Sequence, residues 1–140
     1  MALATFLQLL RPTSIQDQRA QAIYRSEAED VAGRVHEIFD SWLQLREHAS
    51  NNFELANAAA VNRWELMRLA RLTEHLSPPR SLNGTHRDLH NAVVGAARAC
   101  QLLANGYRGH KSEAVCDGQA LLVETVADLS ELIDQLKMRV

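Results

Sequence analysis

Apolar residues recur along the first part of the chain at Tyr24, Ala28, Val31, Val35, Ile38, Trp42, Leu45 and Ala49, in steps that alternate between four and three. This is the heptad rhythm of a helix with one buried stripe, and Gly33 falls within it without shifting its phase. A second stripe runs through Leu55, Ala59, Leu66, Leu69 and Leu76, with Asn62 and Thr73 as polar members of the same line. A third passes through Leu89, Val93, Ala96, Cys100, Leu103 and Tyr107, and a fourth through Val115, Leu122, Val126, Leu129, Leu132, Ile133 and Leu136. Sustained two-residue alternation is missing, so the pattern predicts four amphipathic helices and no strands.

Local punctuation sets the boundaries. After Pro12, Thr13-Ser14-Ile15-Gln16 reads as a capping box that opens the first helix. Ser50-Asn51-Asn52 is a turn, in which Asn51 caps the second helix and Glu54 returns the bond. Ser77-Pro78-Pro79 ends that helix, because Pro79 excludes helical geometry at Pro78 and neither proline can donate. Thr85 and Asp88 restart the pattern, Gly106 and Gly109 supply a cap and a turn, and the fourth helix begins at Lys111 or Ser112. Connections this short make consecutive helices antiparallel neighbours. The expected fold is all-α, an antiparallel up-down-up-down four-helix bundle over residues 13–140, preceded by a short apolar N-terminal segment, residues 1–12. Pairing through the Ser50 turn sets Trp42 level with Ala59, so Ala56, Ala58, Ala59 and Ala60 read as a close-packing seam.

Composition narrows the function more than it names it. A chain of 140 residues suits one domain with a real core. The net charge is -2, with acidic residues concentrated in the first and last helices and basic residues scattered singly. A nucleic-acid partner needs a clustered basic footprint, so none is expected. Residues 1–10 carry no charge and lack the basic leader of a secretory signal. They fall short of a bilayer span, and a membrane is not an expected partner. Two cysteines without an export signal point to free thiols and a cytoplasmic setting.

Candidate chemistry centres on His86 and His90, which stand four apart on one helix face, a spacing that serves metal ligation. Their wheel position is on the flank of the stripe, and the two Glu-x-x-His pairs of a ferritin-like di-iron bundle are absent. Arg68 and His75 have a spacing used by toxin-type helical ribonucleases, but Leu69 stands where an Asn often follows the Arg. Cys100 and Cys116 read as core thiols rather than a bridge. No phosphate loop, nucleophile elbow or catalytic carboxylate pair is present, and no cofactor is expected. The expectation is a non-enzymatic interaction or regulatory bundle that self-associates or binds a protein partner through Phe6, Leu7, Leu9, Leu10 and Tyr24. The alternatives are a metal-binding bundle using His86 and His90, and a small-molecule sensor with a cavity near Asn62.

Overall fold

The structure, a computed structural model, describes residues 15–138. Four long helices follow one another: α1 (Ile15–His48), α2 (Asn52–Glu74), α3 (Asn83–Arg108) and α4 (Ser112–Met138), with a single 3-10 turn at Arg80–Leu82 ahead of α3. No strand occurs among the described residues. The boundary residues of the expected capping box at Thr13 and Ser14, and the apolar segment 1–12, lie outside the described residues.

Side-chain bonds between helices fix their order and direction. Arg34 of α1 meets Glu65 of α2, and Glu74 at the end of α2 lies beside His90 near the start of α3. The Trp42 indole N–H donates to Gln119 at 3.1 Å, and His36 Nε2 lies 2.9 Å from the Ser130 hydroxyl, so the end of α1 meets the start of α4 and the middle of α1 meets the later half of α4. Each neighbour is therefore antiparallel to the next, and α1 closes the ring against α4. The result is the up-down-up-down bundle.

The four interfaces are built differently. Small residues line the seams on either side of α3, including Ala56, Ala59 and Ala70 on α2, Ala96, Ala97, Ala99 and Ala104 on α3, and Gly118 on α4. They let the backbones approach closely, and three glycines show how closely. A Cβ at Gly118 would stand 2.9 Å from Leu103 Cγ and 3.0 Å from the Ala99 carbonyl. At Gly106 it would meet the Val115 nitrogen at 2.9 Å, and at Gly95 the Thr125 methyl at 2.7 Å. By contrast, α1 inserts large side chains, Tyr24, Val35, Ile38 and Trp42, and its axis stands further off.

Three boundaries carry information. Asn51 Oδ1 accepts from the Glu54 N–H at 2.9 Å as expected, but the Glu54 carboxylate returns its bond to Ser50 N–H at 3.1 Å rather than to Asn51. The third helix starts at Asn83, two residues before Thr85, because the 3-10 turn feeds directly into it and no side chain caps it. At the end of α3 the left-handed residue is His110, with φ of 52°, and not Gly109. Its neighbours close a Schellman motif, Lys111 N–H to the Gly106 carbonyl at 2.8 Å and His110 N–H to Tyr107 at 3.5 Å. Asn52 donates to His110 Nδ1 at 2.9 Å, tying this turn to the start of α2.

Candidate interaction surface on the second helix

The inward side of α2 is set by Leu55, Ala56, Ala59, Leu66, Ala70 and Thr73, all buried. At about 100° per residue, the opposite side of the cylinder carries Phe53, Asn57, Val61, Trp64, Arg68 and Leu72 within an arc of roughly 100°. Four of these six are large and apolar, yet Phe53 is 75% exposed, Trp64 65%, Val61 58% and Leu72 52%. A helix normally confines such residues to one face. Here they occupy two.

The surface has a shaped edge. A groove of about 260 Å³ between α1 and α2 is lined by Arg34, Trp64, Glu65, Arg68, Leu69 and Leu72. Arg34 bridges Glu37 and Glu65 at 2.9 Å each, and its hydrogen bond to Glu37 and the charge of Glu65 hold its pKa above the ordinary value. Arg68 and Arg71 make no ion pair among the described residues. The face thus combines aliphatic residues with an aromatic side chain and guanidinium groups, the latter two being types enriched at interface centres.

Residues singled out in the sequence are dispersed. Tyr24, expected among the contact residues, is 1% exposed and belongs to the core. Its hydroxyl lies 3.0 Å from His86 Nδ1, and burial, with the charge of Glu27, raises its pKa to about 12. His86 is held below its ordinary pKa by burial and then by His90. His90 Nε2 turns the other way, 3.2 Å from Glu74 Oε1 but without the alignment of a hydrogen bond. The two imidazoles therefore serve different partners. Among the described residues, no group of three or more His, Cys, Asp or Glu side chains is disposed to hold a metal ion. Phe6, Leu7, Leu9 and Leu10 lie outside the described residues.

Thr73 is fully buried and donates to the Leu69 carbonyl at 2.8 Å within its own helix. Asn62 is half-buried, and a groove of about 220 Å³ between α2 and α3 is lined by residues such as Arg63, Met67, Val94 and Arg98 rather than by Asn62. Cys100 is a core thiol, pushed up to about 12 by burial, whereas Cys116 is exposed, contrary to its expected place in the core. Early in α4 it falls on the outer side, away from the Gly118 seam. A wider groove of about 380 Å³ between α3 and α4 is bordered by Asp88, Asp128 and Glu131. Arg68 and His75 are both exposed, Arg68 on α2 and His75 capping its end two turns later.

No helix among the described residues is long and apolar enough to cross a membrane. No family model matches the chain, and neither a curated protein nor a solved structure does.

Proposed function

We propose that this chain is a non-enzymatic interaction bundle that docks through the outward face of α2 and self-associates there. The observation that carries this reading is the row of Phe53, Val61, Trp64 and Leu72, exposed together on one arc of a single helix. Single exposed apolar residues are ordinary on protein surfaces, but four large ones aligned on one arc of a helix, with Asn57 and Arg68 between them, suit a contact site. Covering such side chains favours association, and the cost of bringing two chains together offsets much of that gain. Two free cysteines, one of them exposed, suit a reducing compartment such as the cytoplasm.

The two tryptophans provide a direct test, since Trp42 is buried and Trp64 is not. In a Trp42→Phe background, Trp64 emission should shift to the blue and lose its sensitivity to acrylamide as protein concentration rises. Emission that stays red and fully quenchable at every concentration would overturn the self-association reading.

A further inference from the structure

We infer that the occupant of this face is the same face of a second copy, with α2 lying antiparallel on α2 about a twofold axis level with the Asn62–Arg63 peptide. The inference rests on the reading of this face as a docking surface and specifies its partner and register. The row Phe53, Asn57, Val61, Trp64, Arg68 and Leu72 is spaced four, four, three, four and four, a sequence of steps that reads the same in both directions. Turned end for end about its centre, the row therefore falls on itself. Phe53 of one copy shares a layer with Leu72 of the other, Asn57 with Arg68, and Val61 with Trp64.

Each layer is chemically sensible. Two apolar pairs meet at the ends, two more flank the axis, and the Asn57 carboxamide oxygen meets a guanidinium donor that has no ion pair among the described residues. Charge selects the direction. Glu54 sits at one end of the face, and Arg68 and Arg71 at the other. Antiparallel apposition brings Glu54 of each copy to the arginines of its partner, whereas parallel apposition stacks like charge on like. A patch that must match itself under a twofold rotation is what an isologous dimer requires. The period of eleven residues, Phe53 to Trp64 and Val61 to Leu72, is about 3.67 residues per turn, so the match holds along about 29 Å of α2 with only a slight right-handed drift.

A strip one helix wide is at the small end of specific interfaces, so the dimer should be a weak one, populated over roughly 1–100 μM. The test uses the full chain in reductant, which keeps exposed Cys116 from cross-linking. Glu54→Arg alone, and Arg68→Glu with Arg71→Glu, each place like charges at both ends and should weaken their own dimers about tenfold. An equimolar mixture of the two proteins restores opposite charges at both ends, and should form heterodimers at wild-type affinity, resolved by mass. Circular dichroism confirms that each variant is folded. Homodimers as strong as wild type, or a mixture with no preference for the heterodimer, would overturn the proposed pairing. Trp64→Glu distinguishes the docking face from its register. If it abolishes the dimer while the charge mixture shows no preference, the docking face stands and the register falls. A dimer that survives Trp64→Glu removes both, and a wild-type chain that is monomeric throughout the range removes the self-pairing.

Discussion

α2 and α3 are neighbours of similar length, yet they spend their apolar residues in opposite ways. α3 places Leu89, Val93, Cys100 and Leu103 inside, and among the described residues none of the large exposed apolar side chains is on it. α2 makes half of its buried positions alanines and leaves Phe53, Val61, Trp64 and Leu72 exposed. Folding of a single chain accounts for every large apolar residue of α3 and for only part of those on α2. That remainder on α2 is the reason we propose its outward face as the docking surface.

The seam between α3 and α4 should respond most strongly to substitution. Leu103 is fully buried between α3 and α4, so Leu103→Ala should cost about 2–5 kcal/mol in a urea titration. A loss below about 1 kcal/mol would mean the seam is not close-packed. Gly118→Ala should cost about 1–3 kcal/mol, because the new methyl faces backbone atoms of Ala99 and Leu103 that cannot step aside. Neutrality of this substitution in the same titration would show that α3 and α4 stand further apart.

Titration probes the core from another direction. Cys100 and Tyr24 both have pKa values raised to about 12, from ordinary values of 9.0 and 10.0. The folded state keeps these groups protonated where the unfolded chain releases its protons, so stability should fall as pH rises from about 9 toward 12. His86 is shifted downward, which reverses the sign, and its contribution is lost as pH falls below its ordinary value of 6.5. Cys100→Ala should delay the alkaline loss in denaturation curves taken at stepped pH. An unchanged onset would contradict the buried thiol.

At Gly33 the balance changes sign. A Cβ there meets nothing within 4 Å on the exposed side of α1, so Gly33→Ala should raise stability by about 0.5–1 kcal/mol. Destabilisation would place an unseen contact on that side. The smallest effect on the fold is expected on the outward face of α2. Val61→Ser or Leu72→Ser, measured where the chain is monomeric, should change stability by no more than about 0.5 kcal/mol. A large loss would mean the row belongs to the core of the same chain.

The bundle was legible in the sequence because a buried stripe must repeat at helical spacing, as Tyr24 through Ala49 do, and because Pro78 and Pro79 admit only one local outcome. The start of α3 was not, since Arg80–Leu82 enters the helix through a 3-10 turn with no capping side chain to announce it. Nor was the left-handed residue, where His110 takes the role that adjacent Gly109 would fill at less steric cost. The candidate face was hidden for a different reason. Leu55 and Leu66 on one side of α2, and Val61 and Trp64 on the other, are equally apolar as letters, and only packing decides which side turns inward. The palindromic spacing of the outer row was the available signal, and it acquires meaning once that row is found in solvent.

Native mass spectrometry of the wild-type chain beside Trp64→Glu, across a concentration series, reports whether the outward face of α2 pairs. The outward face of α2 as a docking surface predicts a wild-type dimer that grows with concentration and a Trp64→Glu chain that remains monomeric with unchanged helix content. A wild type that never leaves the monomer, or a dimer indifferent to Trp64→Glu, would contradict it.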